Sequence, residues 1–145
     1  MIACGLDFGT SNSAIGVMRN GVAELAPIEA DNTLMPSAVF FDYETKGRVL
    51  LGNAAIMAYV EQTEGRLMRA LKSILGSPLI DEETSLGGRK VPLTHVVEIF
   101  VRNLKAKAEE FAGREIASVV MGRPVRFVDD DDQAVLLDRE LRAFS

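Results

Sequence analysis

The stretch from Ile2 to Ile28 constrains the fold more than any other part of the chain. Residues 2–8 are a short apolar run that carries a single carboxylate, Asp7. Gly9 to Ser13 is a small polar turn, and residues 14–18 are apolar again. Asn20-Gly21 then supplies the strongest two-residue hairpin signal, suited to a type I′ turn because both residues tolerate positive φ. Residues 22–28 read as a third strand closed by Pro27. Three short strands joined by tight turns make an antiparallel meander.

The middle of the chain mixes strands with helices. Asp31 to Pro36 reads as a loop, and Ala38–Phe41 and Val49–Leu51 as short strands. Asn53 is placed to cap a short helix through Val60. Residues 66–75 are expected to be helical, with Leu67, Leu71, Ile74 and Leu75 on one face and Gly76 as the stop. Residues 77–92 are mostly loop, with room for one hairpin. The clearest helix runs from Thr94 to Phe111. There Val97, Phe100, Val101, Leu104, Ala108 and Phe111 form an apolar stripe at helical spacing. Thr94 is the expected cap and Gly113 the expected end. Residues 116–121 read as a buried strand ended by Gly122-Arg123-Pro124, and a last helix is expected over 133–143. The fold class is therefore α/β.

Composition excludes several functions. The chain has 145 residues, 48% hydrophobic and 26% charged, with a net charge of −5. Nucleic acid is not expected as a partner, because no basic footprint is present. No apolar run reaches the roughly 18 residues of a membrane span, so no membrane partner is expected. The N-terminus lacks the basic segment of a signal peptide. One cysteine, Cys4, cannot form an intrachain disulfide, which favours a reducing, cytoplasmic location. In its apolar run it reads as a buried, inert thiol.

The sharpest chemical feature is Gly5-Leu6-Asp7-Phe8-Gly9-Thr10-Ser11-Asn12-Ser13. A carboxylate near the end of a buried strand is succeeded by a glycine, then by hydroxyl and amide side chains, then by a second strand. Gly9 lets backbone approach a ligand closely. Successive amides in such a turn can form an anion-binding nest, and Thr10, Ser11 and Asn12 add donors. Asp7 offers the oxygen ligand that Mg²⁺ prefers, directly or through water. The turn is not a P-loop, since it has no Lys-Ser/Thr and a strand replaces the helix. A plain hairpin loop uses the same residue types, so the residues alone leave both readings open. Lys72 likewise reads, on its own, as a solvated lysine beside an apolar stripe. The four residues Asp129 to Asp132 read as the acidic start of a helix rather than a metal site.

The ordered set of strings is more specific than any one of them. GLDFGTSNSAIGVM resembles the first phosphate-binding hairpin of DnaK-type heat-shock chaperones, a branch of the actin-like ATPases. LMPSAVFF, LLGNAA, RALKSILG and VVMGRPVRF resemble later segments of that family in the same order, and the GRPV form resembles the YegD-like branch. The resemblance covers nearly the whole chain. It implies a ribonuclease H-like lobe, with subdomain IA at 1–36 and 93–145 and an inserted subdomain IB at 37–92. It implies ATP or ADP with Mg²⁺, held by Asp7 through water. Gly9, Thr10, Ser11 and Asn12 would cradle the phosphates, and Lys72 would reach the γ-phosphate during transfer. Pro124 would be the switch between lobes. No Arg lies between Arg126 and Arg139, where the family carries one that relays the nucleotide state.

The resemblance also implies that the second phosphate loop and the adenosine pocket belong to a later lobe. The chain is thus expected to be one lobe of a chaperone ATPase and inactive alone. Chaperone clients or co-chaperones are the implied protein partners. An uncovered apolar face is expected to drive self-association. A sugar or acetate kinase lobe, or a non-catalytic assembly module, would share the same start.

Overall fold

The computed structural model describes residues 2–45, 47–75, 77–86 and 88–122. The expectations for Gly76, Pro124, Asp129 to Asp132 and the helix over 133–143 lie outside these residues.

The meander forms as read. Strand β1 (Ile2–Phe8) alternates buried Cys4, Leu6 and Phe8 with exposed Ala3, Gly5 and Asp7. It pairs antiparallel with β2 (Asn12–Arg19), and β2 pairs with β3 (Val22–Leu25). Asn20 and Gly21 sit at φ 51° and 80°, the positive pair a type I′ turn requires. The third strand is shorter than 22–28, although the Ala26 amide still donates to Ile15 O at 2.8 Å. Residues read as loop contribute β4 (Met35–Pro36), which pairs with the start of β2.

The second sheet is built on β5 (Ala38–Asp42), flanked by β6 (Val49–Leu51) and β7 (Gly65–Arg69), with the order β6-β5-β7. Here the expectation of a helix over 66–75 fails. All five residues of β7 pair with β5, from Asp42↔Gly65 to Ala38↔Arg69. A ladder along a central strand outweighs the weak local preference for helix. The chain turns at Ala70, φ 53°, and only Leu71–Leu75 coil into a short helix, α2. Leu67 therefore packs with Phe40 and Ala55, whereas Leu71 and Leu75 join the main core.

Helix α1 (Gly52–Val60) covers this sheet with Ala55 and Ala58. Asn53 does not cap it, because it lies inside the first turn. The Glu29 carboxylate does so instead, accepting from the Asn53 amide at 2.7 Å and from its side chain. After a 3-10 turn at Pro78–Asp81, residues 83–92 form a hairpin of β8 (Glu83–Leu86) and β9 (Arg89–Pro92).

The long helix α3 (Leu93–Ala112) starts one residue before Thr94, with Pro92 in the cap position and no side-chain cap. A fixed proline φ is already suited to helix entry. The helix ends at Gly113, φ 64°, as expected. It lays Val97, Phe100, Leu104 and Ala108 on Leu6, Phe8, Ile15 and Val17. The Phe8 and Phe100 rings lie 5.8 Å apart at 41°. Strand β10 (Ile116–Met121) then pairs parallel with β1, completing the order β10-β1-β2-β3. Among the described residues, no helix is long and apolar enough to cross a membrane.

Candidate functional site

β1 and β10 run parallel and stop at the same edge of the sheet, with Leu6 opposite Met121. Asp7 and the turn after it extend just beyond this edge. Ligands of open sheets with parallel strands bind beyond such strand ends.

The turn itself is tight. Phe8 pairs with Ser13, so Gly9, Thr10, Ser11 and Asn12 must reverse the chain between them. A Cβ on Gly9 would lie 2.1 Å from Asn12 O, so only glycine lets the two backbones come this close. Thr10, Ser11 and Asn12 are exposed, while Ser13 is buried.

Beneath the turn lies a small polar network. Ser37 Oγ donates to Gly9 O at 2.7 Å, and its amide donates to Ser11 O at 2.9 Å. Ser13 Oγ lies 2.8 Å from Ser37 Oγ. A hydroxyl has one proton, and that of Ser37 is committed to Gly9, so Ser13 is the donor in this pair. Two carbonyls of the turn are thus drawn inward. By contrast, among the described residues the side chains of Asp7, Thr10, Ser11 and Asn12 are taken up by no internal hydrogen bond or ion pair. The turn is held from below and leaves its upper donors uncommitted.

Asp7 and Lys72, the two charged residues expected at the site, lie on different elements. Asp7 is exposed on the sheet face opposite α3. Lys72 is half-buried, second in α2. It comes three residues after β7, whose last residue, Arg69, pairs with Ala38 beside Ser37. Among the described residues, no group of three or more His, Cys, Asp or Glu side chains converges as a metal cage. Asp7 offers one exposed carboxylate beside the turn, a donor of the type that Mg²⁺ takes together with water and ligand phosphates. Burial pushes the Cys4 thiol above its ordinary value, in keeping with an inert buried thiol.

Known proteins share this chain's sequence pattern. A family model described as Hsp70 protein covers residues 3–138. The chain belongs to the Hsp70 family. Two curated relatives are described as chaperone protein HscA homologs. The one from Aromatoleum aromaticum is 30% identical over 151 residues, and the one from Methylibium petroleiphilum 31% over 150. Each alignment covers 92% of this chain and 24% of the relative. The chain therefore spans about a quarter of the length of the curated relatives it matches. The mixed α/β architecture is the kind that an actin-like ATPase lobe of an Hsp70 protein requires.

Sequence reasoning missed one contributor to the site, Ser37, and one distant helix cap, Glu29. Ser37 was legible only as part of a resembling string, because a serine after a proline gives no sign of what it will bond. Glu29 acts on Asn53 across 24 residues, and no local pattern connects them.

Proposed function

We propose that this Hsp70-family chain supplies the phosphate-binding side of an ATP site in a heat-shock-type chaperone. One observation carries the reading: a glycine-tight turn at the end of parallel strands, braced underneath, with its exposed hydroxyl, amide and carboxylate side chains uncommitted among the described residues. In this reading Thr10, Ser11 and Asn12, with the amide of Gly9, bind phosphate oxygens. Asp7 holds a water of the Mg²⁺ shell. Lys72 neutralises charge on the terminal phosphate, the usual task of a lysine in phosphoryl transfer. Mg²⁺ supplies neutralisation of the phosphate tail when bound.

On the same basis, subdomain IA comprises 1–36 and 93–145, and IB comprises 37–92. Among the described residues the turn faces solvent on one side, so these residues would contact a bound nucleotide on one side only. Tight binding and turnover then require a second surface of the kind another lobe provides, and the chain alone is expected to be inactive. Clients or co-chaperones are the partners implied, in the cytoplasm. Gly122-Arg123-Pro124-Val125 supports a place in the YegD-like branch.

Titration of the ¹⁵N-labelled chain with Mg-ATP tests the reading. Shifts should concentrate at residues 7–13 and 72, with a dissociation constant in the millimolar range. Lys72→Ala should weaken binding about ten- to hundredfold, since a charge-assisted hydrogen bond contributes ~1.5–3 kcal/mol. Shifts elsewhere, or none, would remove the phosphate role from the turn. Thermal stabilisation is a poor substitute, because ligand at its dissociation constant adds only ~0.4 kcal/mol.

A further inference from the structure

We infer that Ser37 is a positioning residue that sets the spacing between the two halves of the phosphate site, the Gly9–Asn12 turn and the segment that carries Lys72. The inference rests on the phosphate reading above and adds to it what holds the halves in register.

Ser37 is 2% exposed and makes three hydrogen bonds to the turn region. Its hydroxyl donates to Gly9 O and accepts from Ser13, and its amide donates to Ser11 O. It also sits where the chain passes from one sheet to the other. The residue before it, Pro36, pairs with Asn12 in the first sheet. The residue after it, Ala38, pairs with Arg69 in the second. Arg69 leads at once into Ala70, in the left-handed region, and then into Leu71 and Lys72.

A single residue thus clamps the turn on one side and begins, on the other, the ladder whose first pair, Ala38 with Arg69, leads into Lys72. If Ser37 shifts, the turn and Lys72 shift relative to each other, not merely each by itself. A serine suits the task because it is small enough to be buried between the sheets. Its hydroxyl also donates and accepts at once, so both Gly9 O and Ser13 Oγ are satisfied. Alanine would leave Gly9 O and the buried Ser13 hydroxyl without this partner.

A double-mutant cycle on the full chain separates this role from general support. Mg-ATP dissociation constants are measured by NMR titration for wild type, Ser37→Ala, Lys72→Ala and the double variant. Ser37→Ala is expected to weaken binding about tenfold when Lys72 is present. In the Lys72→Ala background the loss should fall below about threefold, because the spacing no longer has an ammonium to place. Equal losses in both backgrounds would show a serine that merely supports the turn, and would overturn the inference. Should Ser37→Ala fail to fold, Ser13→Ala removes only the donor that steadies Ser37. It should weaken binding about threefold, again only with Lys72 present, and an effect independent of Lys72 overturns the inference equally. The two readings fail differently. If wild type shows no Mg-ATP shifts at residues 7–13, the phosphate reading falls and this inference with it. If wild type binds and Lys72→Ala weakens it, but the cycle is additive, only the role of Ser37 falls.

Discussion

The two faces of the first sheet are made by the same strands and have opposite characters. The face toward α3 presents Cys4, Leu6, Phe8, Ile15 and Val17, all buried under the helix. The other presents Ala3, Gly5 and Asp7 from β1, with Gly16, Met18 and Leu25 beside them. Cross-strand register puts Val120, Gly5, Gly16 and Leu25 in one row. Two glycines form the floor of an open trough of about 550 Å³, and Val120 and Leu25 stand as its walls. Val120 is 71% exposed and Leu25 53%. An antiparallel sheet that faces water usually carries polar residues on that side. This one carries small and apolar residues, so alternation alone tells which side chains point inward but not whether the outward face is finished.

The largest contrast should come from the covered face. Phe100→Ala removes a fully buried ring from the contact with Phe8 and should cost about 3–5 kcal/mol. Chemical denaturation measures it, and a loss below about 1 kcal/mol would mean that α3 is not the main cover. Gly9→Ala comes next. The added methyl meets Asn12 O, and overpacking of this kind costs about 1–3 kcal/mol. Its NMR changes should stay within the turn and β4.

Acid acts on the covered side as well. Glu109 is held below the ordinary carboxylate value, first by the Ile116 amide at 2.9 Å, then by Lys105. A carboxyl lowered in the folded state contributes stability above its unfolded value, 4.5 for this group, and loses it as pH falls through the folded value. Glu109→Gln should therefore flatten the pH dependence of stability below about pH 4.5, lowering stability at neutral pH and changing little in acid, where the wild-type carboxyl is already protonated. Glu98, lowered by His95 and Arg102, adds a parallel contribution, so part of the slope should remain.

The smallest effect on stability belongs to the open face. Val120→Lys should change it by no more than ~0.5 kcal/mol, as exposed substitutions do. Its effect on association should be plain: wild type is expected to self-associate in light scattering through this trough, and the lysine variant to run as a monomer. A monomeric wild type at high concentration would show that the trough is too shallow to hold a second copy.

The candidate site was partly legible before folding. Glycine between an aspartate-bearing strand and a hydroxyl-rich turn marked the place where backbone had to come close, and the clash at Gly9 has that origin. The brace below was not legible. Ser13 and Ser37 are 24 residues apart, and each alone looks like a turn serine. Only the pairing of β2 with β4 brings them together.

Local pattern by itself determined the hairpin at Asn20-Gly21 and α3 with its end at Gly113. Each depends on interactions within a few residues, so the information lies within a few residues. Tertiary structure alone decided that residues 65–69 are a strand, that Glu29 caps α1, and that Ser37 ties the turn to the sheet leading to Lys72. In these cases a partner distant in sequence offers hydrogen bonds that exceed the fraction of a kilocalorie by which local propensities differ.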